Sequence, residues 1–296
     1  MKTIRKAVVS AAMSLSCAAL PARAATSGQI DSFLKDLSVK LDLSKACVSI
    51  VDLRGDTARG GWRDTEIKPA ASVIKLNLLA GAYNAAAGGA SFDSEIKITK
   101  SNWTGTWNPE EDGIHDPNPP IRPGETWTLA KLTEVMIRRS DNVAANTLMD
   151  FLDRKKVTAF VQSAGLTATH VRHKLSSGPT VSDPDATGYN QMPARDAATL
   201  LMLVAQKKLV SPQASEAMYD LLAGQLDRAL IAAALPPDAS YAGKTGELEL
   251  ARNDAAIVRA PNREYVLVVY TQLADSQGKP LIKAIAKAVD EFLKTN

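Results

Sequence analysis

Three short motifs in this sequence contain residue types that could form a nucleophilic serine site. Ser72 and Lys75 lie three positions apart in an apolar segment, and a helix would place both side chains on one face. A buried lysine has a lowered pKa, so its amine can accept the hydroxyl proton and make the serine a nucleophile. The same spacing recurs at three sites that we interpret as solvated surface: Ser32/Lys35, Ser94/Lys97 and Ser276/Lys279. The spacing alone is therefore weak evidence.

The second motif is Ser140-Asp141-Asn142, between two segments with helical periodicity. The Ser140 hydroxyl could pass a proton to a leaving group. The Asn142 carboxamide could hold a substrate amide, because it both donates and accepts hydrogen bonds. The alternative is structural: Ser140 or Asp141 caps the helix that starts near Val143, which is the commoner role of an isolated motif of this kind.

The third motif is Lys244-Thr245-Gly246, on a predicted strand. The cation and the hydroxyl suit an anionic group of a substrate, and the glycine allows a close approach of another backbone. The alternative is an exposed strand end.

The elements that must position these motifs follow from the hydrophobic periodicity. Apolar residues at helical spacing predict helices at 29–41, 72–87, 128–139, 143–152, 195–206, 212–222 and 279–293. Short β-rich runs predict strands at 46–53, 57–62, 241–248, 254–259 and 265–271. Residues 103–127, which are rich in Pro, Gly, Asn and Asp, and the non-periodic residues 172–192 are predicted to be irregular loops.

Predicted strands near both ends of the chain enclose a helical middle. This order favours an α+β fold, in which one sheet is assembled from both ends and an all-helical lobe is inserted. We expect residues 25–66 and 211–296 to form the lobe that contains the sheet. Residues 67–210 are expected to form the all-α lobe.

The first 24 residues have the pattern of a secretory signal peptide. Basic residues at positions 2, 5 and 6 precede an apolar run at 7–20 and the small-x-small sequence Ala22-Arg23-Ala24. We predict cleavage after Ala24 and a periplasmic or secreted mature chain without a membrane span. The alternative, an uncleaved anchor, would need a longer apolar run.

Charge and metal-ligand counts exclude several classes of function. Removing the four basic residues of the leader from the 35 in the chain leaves 31 against 32 acidic residues, which argues against nucleic-acid binding. Cys47 is the one cysteine left, and the histidines are only His115, His170 and His173, so neither a disulfide nor a zinc site is expected. The chain also lacks the Gly-x-Ser-x-Gly elbow of α/β-hydrolases. We expect a monomer without metal or cofactor.

Taken together, the order and spacing of the three motifs resemble those of the penicilloyl serine transferases, the class A β-lactamases and low-molecular-weight penicillin-binding proteins. The resemblance extends over nearly the whole mature chain and includes Pro69, the run from Ser140 to Asn146, and Pro193-Ala194 at the start of a later helix. The match to class A is the better one. The resemblance implies a two-lobed α+β fold of the β-lactamase/transpeptidase-like kind, in which an antiparallel sheet is flanked by terminal helices and an all-helical lobe is inserted.

The resemblance also implies a role for each motif residue. Ser72 would be the acylated nucleophile, Lys75 its proton acceptor and Ser140 the proton shuttle. The substrate-binding residues would be Asn142, Lys244, Thr245, Gly246 and Glu247. Among these, Lys244 and Thr245 would anchor a carboxylate, and the backbone N–H groups of Ser72 and Glu247 would form the oxyanion hole.

The sequence departs from the class A pattern in two places. Class A enzymes remove the acyl group with a glutamate on the loop after the second motif, but no glutamate occurs from Val135 to Ser215, and the expected position falls near Ser176. Substitutes near this position in the sequence are His173, Asp183 and Asp185. The other departure is Glu247, whose carboxylate adds negative charge beside the anionic anchor; it could meet a cationic substituent or simply face solvent.

Three functions fit these observations. The first is a β-lactamase-like hydrolase whose deacylation is slow. The second is a D,D-peptidase-like enzyme that acts on cell-wall peptides ending in D-Ala. The third is a non-catalytic penicillin- or peptide-binding protein, against which the intact nucleophile and base argue. Their ligand is a β-lactam or a D-Ala-terminated peptide.

Overall fold

The computed structural model describes residues 24–105, 116, 118–175 and 181–296. Its main sheet is antiparallel, with strand order β2-β1-β7-β6-β5. The strands are β1 (Ala46–Asp52), β2 (Ala58–Trp62), β5 (Ser240–Leu248), β6 (Ala251–Ala260) and β7 (Arg263–Thr271). Strand β1 pairs with β7 through Ala46 opposite Thr271, so the sheet joins the two ends of the chain. Strand β5, which carries the third motif, lies at one edge.

Helices cover both faces of this sheet. They are α1 (Ser27–Lys40), α2 (Lys75–Ala87), α3 (Leu129–Arg138), α4 (Asn142–Leu152), α5 (Arg154–Ser163), α6 (Ala194–Ala205), α7 (Pro212–Ala223), α8 (Ile231–Ala234) and α9 (Asp275–Thr295). Helices α1 and α9 share one apolar core with one face of the sheet. Helices α2 to α7 share a second core with the other face.

Strand β7 shows why these strands are continuously apolar in the sequence. Val266 and Val268 belong to the core with α2 to α7, whereas Leu267 and Val269 belong to the core with α1 and α9. Successive residues of a strand point to opposite faces, so a sheet that is covered on both sides needs apolar residues at every position.

A buried ion pair fastens α9 to the sheet. The Arg263 guanidinium donates two hydrogen bonds to Asp290, from Nε at 2.7 Å and from NH2 at 2.9 Å. The Tyr265 hydroxyl donates a third to the same carboxylate at 2.9 Å. The Asp290 carboxylate therefore links the last helix to two residues of strand β7.

The predicted α+β class and antiparallel sheet are confirmed, with local differences. A 3-10 turn at Ala71–Ile74 precedes α2. Helix α5 is not among the predicted helices, because it is rich in polar residues and only Val157 and Val161 of its residues are buried. Residues 67–210 are not purely helical, since the short strands β3 (Glu95–Lys97) and β4 (Thr126–Thr128) pair within them. Three-residue strands are too short to show an alternating pattern.

Other expectations lie outside the described residues or stay predictions. Residues 1–23 of the leader, His115 and Ser176 are outside the described ranges. The lobe boundaries stay a prediction. Within the described ranges, no helix is long and apolar enough to cross a bilayer.

Candidate active site

Ser72 lies in a tight turn that is pressed against strand β5. The preceding residue, Ala71, has φ of 49°, a left-handed conformation that is strained for a residue with a side chain. A Cβ on Gly246 would lie 2.8 Å from the Ala70 carbonyl oxygen and 3.1 Å from the Ser72 nitrogen. Only glycine therefore lets the third motif lie against the backbone of the first.

Lys75 follows one turn later and is fully buried. Its Nζ lies 2.5 Å from the Ser140 carbonyl oxygen, 2.7 Å from Asn142 Oδ1 and 3.1 Å from Ser140 Oγ. Burial and the nearby Lys244 cation hold the pKa of Lys75 well below its usual value. The amine is thereby suited to accept a proton. Burial distinguishes it from Lys35 and Lys97, which are exposed in the other Ser-x-x-Lys pairs.

The second motif combines the structural role and the proposed chemical one. Asp141 caps α4, since its Oδ1 accepts from the Ala144 nitrogen at 2.9 Å. Ser140 has φ of 62° and joins α3 to α4. Its hydroxyl lies within hydrogen-bond distance of two amines, at 2.8 Å from Lys244 Nζ and 3.1 Å from Lys75 Nζ. The cap therefore fixes the motif while Ser140 faces the other two motifs.

Lys244 reaches Ser140 from the edge strand β5. The amine is fully buried and also donates to the Thr245 carbonyl oxygen at 2.8 Å. Burial lowers the pKa of Lys244 to about 7, although the Asp227 and Asp254 carboxylates oppose this shift. The amine is therefore only partly charged at neutral pH.

The three motifs meet at two cavities that share Ser72, Arg139 and Ser140. The smaller cavity, of about 140 Å³, is lined by Ser72, Arg139, Ser140, Gln225, Leu226, Asp227, Thr245, Gly246, Glu247 and Arg252. The larger, of about 400 Å³, extends past Asn142 to loop residues 104–105 and 120–121. The structure thus brings all the sequence-predicted site residues together, with Lys75 and Lys244 buried behind the cavity walls.

The suggested substitutes for the loop glutamate lie elsewhere. Asp183 is held in an ion pair by Arg154 and accepts from the Lys174 nitrogen at 2.6 Å. Burial alone would raise the pKa of Asp183, but these donors lower it, which makes the carboxylate a weaker base. His173 Nδ1 lies 2.6 Å from the Lys174 carbonyl oxygen, and Asp185 is exposed. None of the three lines either cavity that contains Ser72.

Sequence reasoning missed Gln225, Asp227 and Arg252. Arg252 lies opposite Glu247 in the β5–β6 pairing, across a tight turn at Glu249 and Leu250. A hairpin register can be inferred when Gly or Asn marks the turn, and neither residue occurs there. Asp227 lies beyond α7 and reaches the cavity only through the tertiary fold. Among the described residues, no group of three His, Cys, Asp or Glu could hold a metal ion.

Comparison with known proteins agrees with this geometry. A model of the beta-lactamase enzyme family matches residues 30–293, which is most of the chain. The chain belongs to this family. Beta-lactamase 1 of Streptomyces cacaoi is 29% identical over 181 residues, which are 58% of this chain and 56% of that protein. The carbapenem-hydrolyzing beta-lactamase KPC of Klebsiella oxytoca is 30% identical over 180 residues, 57% of this chain and 60% of that protein. The matches therefore span less than two thirds of these relatives.

Solved structures share the fold of this chain at low sequence identity. The structure of PBP-A superposes with a TM-score of 0.76 at 22% identity, covering 90% of this chain and 97% of PBP-A. A variant of PBP-A has also been solved as an acyl-enzyme complex with penicillin G. The likeness concerns the fold alone.

Proposed function

We propose that this chain is a serine hydrolase of the β-lactamase kind that β-lactams acylate at Ser72 and that releases the acyl group slowly. The observation that carries the proposal is the position of Ser140 Oγ, 3.1 Å from Lys75 Nζ and 2.8 Å from Lys244 Nζ, in the cavity wall beside Ser72. This arrangement supplies a nucleophile, a base and a proton relay. A binding protein needs none of them.

Acylation would use the neutral form of Lys75. Ser72 Oγ has no hydrogen-bond partner among the described residues, so its side chain is free to turn toward the amine. Lys75 takes the hydroxyl proton while Ser72 Oγ bonds to the lactam carbonyl carbon. The C–N bond then breaks, and Ser140 passes the proton from Lys75 to the leaving nitrogen. With a neutral Lys75, the Ser140 hydroxyl donates to Nζ and accepts from Lys244, which sets up this relay.

The remaining site residues would hold the substrate. Asn142 can bind the side-chain amide, and Lys244 with Thr245 can bind the carboxylate. Gly246 lets the strand approach Ser72, so that the Ser72 and Glu247 N–H groups can stabilise the oxyanion. The acyl-enzyme complex of a PBP-A variant supports the capacity of this fold to carry such an adduct.

Deacylation needs a second base, and the loop after the second motif lacks the glutamate that would supply it. No glutamate occurs from Val135 to Ser215, and Asp183 is bound to Arg154. A missing general base costs roughly 10²–10⁴ in rate. An acyl-enzyme should therefore accumulate.

The deciding experiment combines intact-protein mass spectrometry after penicillin exposure with nitrocefin turnover. We expect one penicilloyl adduct per chain that persists for minutes, a burst, and weak steady turnover. Ser72→Ala should remove the adduct. Ser94→Ala, in another Ser-x-x-Lys pair, is the matched control and should keep it. Fast turnover without a detectable adduct would contradict slow deacylation.

A D,D-peptidase activity is the second candidate, favoured by the same missing carboxylate. An amine acceptor is a better nucleophile than water and depends less on a base, so acyl transfer to an amine could proceed in this site. Release of D-Ala from a peptide ending in D-Ala-D-Ala, with and without an added amine, tests it. We further propose export of the chain, which the mature N-terminal sequence of the expressed protein would test.

A further inference from the structure

The smaller cavity beside Ser72 has an excess of negative charge on the wall formed by β5 and β6. Arg252, whose side chain is 5% exposed, contacts three carboxylates. It forms an ion pair with Glu247, lies 3.0 Å from Asp227 and lies 3.2 Å from Asp275. Asp275 is also paired with Lys279 at 3.0 Å, so two cations face three carboxylates and the cluster keeps one uncompensated negative charge. Glu247 and Asp227 both line the cavity.

The other cations around the cavity do not offset this excess of negative charge. Arg139 is already bound to two carboxylates, Asp116 at 3.1 Å and Asp141 at 3.0 Å. The lowered pKa values of Lys75 and Lys244 reduce their charge at neutral pH. An anionic group in this cavity therefore meets a weaker positive field than the Lys-Thr-Gly motif implies.

Gln225 provides an independent indication of a ligand in the same cavity. The residue lines the cavity and is 2% exposed, and its Nε2 has no hydrogen-bond partner among the described residues. Its Oε1 accepts from the Asp227 nitrogen at 3.3 Å, which orients the amide. A buried donor without an acceptor is costly, and an acceptor oxygen of a ligand would remove that cost.

We infer that the site selects substrates that carry an ammonium group beside an acceptor oxygen, on the side of the reacting amide that faces β5 and β6. Glu247 and Asp227 bind the cation, and Gln225 binds the oxygen. This inference rests on the proposed acylation of Ser72. The two cavities meet at Ser72 and Ser140, so one part of a substrate lies toward Asn142 and the other toward Arg252. The Glu247 side chain is 61% exposed and is free to turn from Arg252 to a substrate cation.

The test compares two cephalosporins with the same acyl side chain. Cefepime carries an N-methylpyrrolidinium at C3, and cefotaxime carries a neutral acetoxymethyl there. Stopped-flow and mass measurements give the second-order rate constant for acylation of the full chain. We expect cefepime to react roughly tenfold faster at low ionic strength, with the difference shrinking in high salt because the charges are partly exposed.

Three variants test which side chains cause the preference for the cationic compound. Glu247→Gln should reduce the preference to about twofold or less, because it removes a negative charge without changing size. Glu249→Gln, which changes an exposed carboxylate of the same hairpin outside the cavity, should keep the preference. Gln225→Met should slow both compounds alike, since both carry the acceptor carboxylate. Thermal unfolding of each variant confirms that it is folded.

Each remaining outcome overturns a defined claim. Equal rates with the two compounds, or a preference that survives Glu247→Gln, overturn the inference alone. Absence of a Ser72 adduct with either compound overturns the proposed function, and this inference with it.

Discussion

The Asn146 side chain holds the backbone of Leu175 through a reciprocal pair of hydrogen bonds. Its Oδ1 accepts from the Leu175 nitrogen at 2.7 Å, and its Nδ2 donates to the Leu175 oxygen at 2.7 Å. Asn146 is fully buried and lies one helical turn after Asn142, which contacts Lys75. The loop that lacks a glutamate is therefore fixed to the same helix that carries the second motif. Leu175 directly precedes the position near Ser176 where the family pattern places the base.

A carboxylate restored at this fixed point should accelerate deacylation. We predict that Leu175→Glu shortens the lifetime of the penicilloyl adduct by about 10²-fold, within the range that a general base contributes. Leu175→Gln, which has the same length without a base, should leave the lifetime within about threefold. Time-resolved intact-protein mass spectrometry measures both. If the two variants behave alike, the missing carboxylate is not what limits release at this position.

Replacing the amine of Lys75 should impair acylation. Lys75→Arg keeps a positive charge but removes a group that can titrate, so the acylation rate should fall by roughly 10²–10⁴. Labelling with a fluorescent penicillin over time gives the rate. Lys97→Arg, in a surface Ser-x-x-Lys pair, is the control and should acylate normally. Near-normal labelling of Lys75→Arg would assign the base to another group.

The acylation rate should depend on pH through Lys244. Its pKa is depressed to about 7, so the amine is charged below this pH and neutral above it. Binding of a substrate carboxylate by Lys244 should therefore weaken as the pH rises through about 7. The second-order rate constant for acylation by penicillin G, measured between pH 5 and 10, shows this decline. Lys244→Arg stays charged over this whole range, so the decline should be absent. A flat profile from pH 6 to 9 in the native chain is the contrary result.

The ion pair between Arg263 and Asp290 should contribute strongly to stability. Asp290→Ala leaves the buried guanidinium without its carboxylate, and breaking a buried pair from one side costs about 3–5 kcal/mol. The control is Glu264→Ala, which breaks the pair between Arg259 and Glu264, whose side chains are both 38% exposed; it should cost at most about 1 kcal/mol. Urea denaturation of the two variants measures the difference. Equal losses would mean that α9 is held mainly by its apolar contacts.

The convergence of the three motifs could be predicted because their order and spacing along the chain resemble the family pattern; no single motif was sufficient for it. A single sheet built from both ends of the chain followed from β-rich runs such as residues 46–53 and 265–271, but the strand order and the edge position of Thr245 did not. The neighbours of Arg252 could not be predicted, since Glu247, Asp227 and Asp275 come from three elements whose relative positions depend on tertiary packing. The ion pair between Asp183 and Arg154 could not be predicted either, because residues 172–192 have no periodicity from which a position for Asp183 could be derived.

The pairing of β1 with β7 also constrains when the protein can fold. Ala46 finds its partner Thr271 only after more than two hundred intervening residues have been synthesised. Until then β1 lacks β7, its neighbour toward the centre of the sheet. Helix α6 therefore has no complete sheet surface on which to pack. Contacts this distant in sequence make folding slow and leave the nascent chain open during synthesis. Ser72 on the helical side and Thr245 on the sheet therefore come together only once the chain is nearly complete.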